Sequence, residues 1–181
     1  MMKYLCVFCG SSTGRPAIYA ESARQFGTAM AARGLGLVYG GGHIGLMGVV
    51  ADAVLQAGGA VIGVIPRSMV ERELAHERLT ELHIVETMHQ RKALMAERAD
   101  GFAALPGGFG TADELFEILT WRQLRLHDKP IGLLNVAGFF DPLLAWMDRT
   151  VEEGFLHGEN RALIHVVDHP DLLLDLLLGE C

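Results

Sequence analysis

An α/β fold, in which one doubly wound, Rossmann-like and mainly parallel sheet of about seven strands is flanked by helices, is predicted by three features of the 181-residue sequence. Short apolar runs alternate with helix-length segments, the runs are apolar almost throughout, and glycine-rich turns follow several of them. A strand covered by helices on both faces has no solvent side and therefore reads as an unbroken apolar run, and parallel neighbours need crossover helices to connect them. Right-handed crossovers then wind the chain around both faces of the sheet.

The predicted strands are residues 4–8, 35–39, 60–65, 83–85, 101–105, 131–134 and 164–167. Helices fall between them by their punctuation. Pro16 suits a first turn and Gly34 a C-terminal stop, which sets a helix over 16–33. Others are expected over 45–56, 89–98, 112–126, 140–152 (stopped by Gly154) and 171–178. Residues 66–82 form a polar, charge-dense connection that fits either a mobile flap over a site or a solvated surface excursion.

Apolar residues make up 50% of the chain, enough for one well-filled core and short of two, so residues 1–181 are read as a single domain. A net charge of −7 with only Lys3, Lys92 and Lys129 as lysines argues against a nucleic-acid polymer as partner, since phosphate-rich polymers select clustered cations. No apolar run reaches the roughly 18 residues that span a bilayer, and no signal-peptide cleavage pattern follows the N-terminus, so a cytoplasmic protein without a membrane partner is expected. Cys6 and Cys9 form a C-x-x-C, but in a strand residues three apart point to opposite faces. Cys6 is therefore read as a small buried side chain rather than a redox or zinc-binding group.

Three glycine loops follow predicted strands: C-G-S-S with Gly10 and Ser11, Y-G-G-G-H-I-G-L-M-G with Gly41 and Gly42, and P-G-G-F-G-T with Pro106, Gly107, Gly108, Phe109, Gly110 and Thr111. In an open parallel sheet ligands bind beyond the carboxyl ends of the strands, where all three loops converge. The middle loop contains G-x-G-x-x-G at Gly40, Gly42 and Gly45. It follows the second strand rather than the first, and Pro66 to Met69 occupy the place where a ribose-binding acid belongs, so a dinucleotide site is disfavoured. No lysine follows a glycine loop as a P-loop requires, and Ser11 and Ser12 lie in no G-x-S-x-G elbow. The third loop lets backbone N–H groups and a helix dipole approach a phosphate monoester. It equally fits a plain helix start, with Thr111 as N-cap and Glu114 completing a capping box.

Charged residues next to these loops supply the candidate chemistry. Arg91 and Lys92, in M-H-Q-R-K beginning at Met88, open a helix; arginine can grip a phosphate or carboxylate through two parallel hydrogen bonds. Glu73, Asp113 and Glu114 are the candidate acids. Leu115, Phe116, Ile118, Leu119 and Trp121 place apolar surface on more than one face of the helix after Glu114, which suits packing against another subunit. The eight histidines show no pair at metal-ligand spacing with a third ligand and are read as surface or structural groups, with no metal site.

Taken in order, V-F-C-G-S-S, Y-G-G-G-H-I-G-L-M-G, M-H-Q-R-K, P-G-G-F-G-T-A-D-E and W-R-Q-L-R-L-H-D-K-P-I-G-L-L-N make nearly the whole chain resemble the LOG (lonely guy) family, whose relatives are often labelled lysine decarboxylase-like. The resemblance implies a phosphoribohydrolase that cleaves the N-glycosidic bond of a purine nucleoside 5′-monophosphate, such as a cytokinin riboside monophosphate. It implies no metal or organic cofactor. Arg91 and Glu114 match the family's essential pair, while Glu73, Lys92, Gly107 to Thr111 and Thr120 match nucleotide-contacting positions. Phe109 stands where Gly or Tyr is frequent and Asp113 where plant members often carry Glu. The resemblance also implies a homodimer with sites at the subunit interface. Two competing readings are a nucleotide-sensing module without turnover and a pyridoxal-dependent lysine decarboxylase using Lys92.

Overall fold

The computed structural model describes residues 3–70 and 74–179. Seven strands, β1 (Tyr4–Phe8), β2 (Gly36–Tyr39), β3 (Val61–Pro66), β4 (Glu81–Val85), β5 (Gly101–Ala104), β6 (Ile131–Leu134) and β7 (Ile164–Val167), form one sheet in the order β4-β3-β2-β1-β5-β6-β7. Every neighbouring pair is parallel. The helices are α1 (Ala17–Ala32), α2 (Gly45–Gln56), α3 (Met88–Arg98), α4 (Phe109–Gln123), α5 (Asp141–Glu152), α6 (Gly158–Arg161) and α7 (Pro170–Leu178). The predicted sheet and long helices are all present; the single turn of α6 and the 3-10 turns Arg67–Met69 and Val136–Gly138 are additions, too short to carry a sequence period.

Strand order explains the two layers. From β1 to β3 the chain steps outward, with α1 and α2 on one face; it then returns through α3 from the β4 edge to β5, beside β1. Reversing the direction of travel while keeping the crossover hand sends the helices to the opposite face. Consequently Leu5, Val7, Leu37 and Tyr39 pack with α1, α2 and α7, whereas Cys6, Phe8, Val38 and Phe102 pack with α3, α4 and α5. Cys6 and Cys9 fall in opposite layers, as strand alternation predicts. Burial, with the charge of Glu114 added, pushes both thiols up from their ordinary value, so neither is a thiolate at neutral pH.

The reversal leaves a crevice outside the carboxyl ends of β1 and β5, and the loops around it are tied to one another. Gly10 is the joint: its N–H donates to the Pro106 carbonyl at 3.0 Å, and its own carbonyl accepts from the Leu46 N–H at 2.9 Å. Gly45, at φ +66°, passes so close to the β1 loop that a Cβ would lie 2.2 Å from the Ser11 carbonyl carbon. The connection after β3 is also tied down. In its described part His43 N–H donates to Leu74 O at 2.9 Å, His76 N–H to Gly41 O at 3.0 Å, and Val61 N–H to Thr80 Oγ1 at 2.9 Å. Glu73 lies outside the described residues.

Candidate active site

Two helix N-termini point at the crevice, and hydrogen bonding separates them. The first N–H groups of α2, Leu46 and Met47, are taken by the Gly10 carbonyl at 2.9 and 3.3 Å. That leaves little for an anion at the G-x-G-x-x-G loop, where a dinucleotide site is disfavoured by the sequence as well. Helix α4 differs: its N-cap is Gly108, and no side chain caps it. The helix therefore starts at Phe109, three residues before the predicted 112, and Thr111 lies inside the first turn rather than at the cap. Of the two readings of this turn, the capping box is absent from α4; the one observed is at Thr87 and Gln90, where α3 begins. The Thr111 hydroxyl instead packs against Gly107, where a Cβ would come within 2.1 Å of it. Gly107 is thus required by close approach, and the first turn of α4, whose N–H groups find no acceptor among the described residues, faces the crevice with the positive end of its dipole.

The deeper part of the crevice, about 160 Å³, is lined by Gly10, Ser11, Gly108, Phe109, Gly110, Thr111, Arg91 and Glu114, together with Val7, Cys9, Gly40 and Met47. A second lobe of about 270 Å³ shares Gly10, Ser11 and Gly108 with it and extends past Pro106, Gly107 and Tyr19. Arg91 is 4% exposed. Its Nε donates to Val64 O at 3.1 Å and one terminal nitrogen to Gly40 O at 2.8 Å. The other terminal nitrogen lies 3.8 Å from the Met69 and Met88 sulfurs. Two carbonyls thus fix the guanidinium plane while its charge stays at the crevice wall, a preorganised cation of the kind that binds phosphate or steers a carboxylate. A Cβ at Gly40 would sit 2.1 Å from the guanidinium, so only glycine admits Arg91 here. Glu114, half-buried on the same wall, brings the negative charge.

The remaining candidates sort into three groups by position. Gly41 and Gly42 lie behind Arg91 and hold the strap at residues 74–76, Gly42 through an isolated bridge to Ala75. Lys92 pairs with Asp113 at 3.1 Å and Glu117 at 3.2 Å, which ties α3 to α4 beside the crevice rather than within its wall. Burial alone would lower the Lys92 pKa, but its hydrogen bonds to both carboxylates outweigh that and hold the ammonium above its ordinary value. Thr120 lies in a separate apolar groove of about 460 Å³ between α4 and α5, with Phe116, Trp146, Met147 and Phe155. Gly40, Cys9 and Met47 also line the crevice. All three stand in the first two glycine loops, but nothing in their residue types or spacing marks them as ligand contacts.

Comparison with known proteins assigns the family. The family described as "Possible lysine decarboxylase" matches residues 47–177. The rice (Oryza sativa subsp. japonica) probable cytokinin riboside 5′-monophosphate phosphoribohydrolase LOGL2 is 50% identical over 173 residues, 96% of this chain and 71% of the relative. Arabidopsis thaliana LOG1, a cytokinin riboside 5′-monophosphate phosphoribohydrolase, is 51% identical over 162 residues, 90% of this chain and 76% of its own. Among solved structures, the molybdenum cofactor binding protein of Rippkaea orientalis superposes with a TM-score of 0.76 at 19% identity, covering 99% of this chain and 98% of that one. The Moco carrier protein of Chlamydomonas reinhardtii gives 0.73 at 20% identity, with full coverage of both, 100% and 100%. The carriers share the fold; identity of one residue in two along nearly the whole length goes beyond fold, and this chain belongs to the LOG family of phosphoribohydrolases.

Proposed function

We propose that the chain hydrolyses the N-glycosidic bond of purine nucleoside 5′-monophosphates, releasing free base and ribose 5-phosphate, with Glu114 and Arg91 as the acting pair. The observation that carries this reading is their meeting in one crevice with the uncapped first turn of α4. The 5′-phosphate binds at residues 107–111, which holds the sugar near Glu114. As the bond to the base breaks, positive charge builds on the sugar ring. A carboxylate beside it stabilises that charge and takes a proton from the attacking water, while the departing base carries off the bonding electron pair and regains a proton. Arg91 orients the carboxylate and the phosphate. Because remote phosphate binding supplies orientation at the reacting carbon, a nucleoside without phosphate reacts poorly.

The relatives' names specify cytokinin riboside monophosphates, and N6-modified adenine is accordingly the first base to test. The protein is incubated with AMP, with isopentenyladenosine monophosphate and with the matching nucleosides, and free base and ribose 5-phosphate are quantified. Base release from a monophosphate but not from its nucleoside is expected; tight nucleotide binding with no base release would leave a sensing module instead. The decarboxylase reading is opposed by charge. A Schiff-base lysine must be available as a neutral amine, whereas Lys92 is held protonated between Asp113 and Glu117. We also infer a homodimer joined through the α4–α5 groove, whose Phe155 is 88% exposed and whose Trp146 packs edge-on against Phe116 at 5.6 Å. In that arrangement Thr120 reaches a nucleotide only across the interface. Cytoplasmic residence belongs to the same proposal; among the described residues no helix is long and apolar enough to cross a membrane.

A further inference from the structure

At the β2–α2 loop, among residues that do not line the crevice, three side chains from separate segments come together. His76, on the strap, is 2% exposed; its Nε2 lies 3.2 Å from Asp52 Oδ1 on α2, and its Nδ1 accepts from the Arg78 N–H at 3.2 Å. That acceptor role places the ring hydrogen on Nε2, from which it is donated to Asp52. The His43 ring meets the His76 ring edge-on at 4.7 Å. One potential ligand atom from each of His43, Asp52 and His76 lies within 4.8 Å of the other two. A cation already sits on the carboxylate: the Arg78 guanidinium, 3.0 Å from the same Asp52 oxygen on a side chain that is 73% exposed.

We propose that His43, Asp52 and His76 form a binding site for a divalent transition-metal ion of the zinc class, in competition with Arg78. Two imidazole nitrogens and a carboxylate oxygen, with water in the fourth position, are a ligand set that zinc accepts and that magnesium and calcium do not favour. Tetrahedral zinc, with bonds of about 2.0–2.1 Å, sets its ligand atoms about 3.4 Å apart. His76 and Asp52 already have that spacing, at 3.2 Å. His43 is exposed, so rotation of its side chain can close the remaining gap. The backbone that carries the two histidines is already set by the His43–Leu74 and His76–Gly41 hydrogen bonds. When His76 Nε2 takes the ion, the ring's one hydrogen moves through solvent to Nδ1 and the imidazole stays neutral. Two donors then face each other at the Arg78 N–H, which must turn away, and the ion displaces the guanidinium from Asp52. Arg78 is thus opposed to the ion at both contacts. The bound ion joins the strap, α2 and the loop whose Gly40 carbonyl holds Arg91, clamping the back wall of the crevice.

The test uses the full chain, freed of metal by chelation, with Zn²⁺ titrated calorimetrically and Co²⁺ by its visible tetrahedral absorption. One saturable ion per chain is expected. H43A, at an exposed position, weakens binding at least about tenfold and removes the tetrahedral cobalt band. R78A, which deletes the competing cation, tightens binding. Circular dichroism of the metal-free variants verifies that each is folded. Absence of saturable binding to the wild type, unchanged binding in H43A, or weaker binding in R78A would each overturn the proposal.

Discussion

The two faces of the sheet bury similar apolar side chains, yet they are completed differently. On the α1–α2–α7 face the helices are locked to one another, although Ile18 and Leu172 stay partly exposed: Gly27 of α1 lies so near α2 that a Cβ would come 2.8 Å from the Val50 carbonyl, and Arg33 bridges to Asp171 and Asp175 of α7 at 2.7 and 2.8 Å. On the α3–α4–α5 face Met95, Leu115 and Met147 are equally buried, but Trp146, Phe155 and Leu126 stay exposed. This second face also carries Arg91 and Glu114. A layer finished internally stabilises the fold, whereas a layer left open at its rim has surface to give to a ligand and a partner.

That contrast yields predictions in which chemistry and stability separate by face. The largest effect belongs to Glu114→Gln. It lowers the rate of base release on the order of 10²- to 10⁴-fold, roughly 3–5 kcal/mol, while nucleotide binding and the thermal midpoint hold; turnover at the wild-type rate would remove Glu114 from its role. Next comes Trp146→Ala combined with Phe155→Ser, which weakens self-association by about 2 kcal/mol or more in sedimentation equilibrium without unfolding the protomer. A doubly substituted chain that stays as associated as the wild type would move the interface elsewhere.

On the closed face, Gly27→Val costs about 1–3 kcal/mol of unfolding free energy in a urea titration, because the α2 carbonyl cannot retreat from the added methyls. Folded Gly27→Val protein retains base release, which Glu114→Gln does not. The smallest effect is at the start of the sheet, where Asp100 accepts the Lys3 and Tyr4 N–H groups at 2.8 and 3.0 Å and so links β1 to β5. Burial alone would raise its pKa, but these backbone hydrogen bonds prevail and hold it below the ordinary value of 3.8. A lowered folded pKa means that the stabilisation is full above that ordinary value and is lost as pH falls through the lower folded one. Asp100→Asn should therefore be about 1 kcal/mol less stable at neutral pH. The gap to the wild type should close in strong acid; a constant gap across pH would show that charge plays no part.

The outline of the fold was legible because each piece of it is local. A strand buried on both faces must be apolar at every position, and a helix must stop where a glycine takes positive φ, as Gly154 does at +78° after α5. The start of α4 was misplaced because Thr111 has every attribute of an N-cap and the uncapped alternative, Gly108, has none; only the packing of the Thr111 hydroxyl on Gly107 decides between them. Arg91 and Glu114 were legible as motif residues, while the carbonyls of Gly40 and Val64 that hold Arg91 were not, since any residue supplies a carbonyl.

The sequence by itself determined the layers, the order of elements and the three glycine loops, since periodicity, turn chemistry and apolar runs act over a few residues. Which helix start has its N–H groups taken was decided only by the tertiary structure: the Gly10 carbonyl accepts from α2, whereas no side chain caps α4. The same holds for the meeting of His43, Asp52 and His76, which no spacing rule along the chain anticipates. Loop, helix and strap bring these three together only once β2 and β3 lie side by side, because contacts between elements depend on register and crossover, which are properties of the assembled sheet.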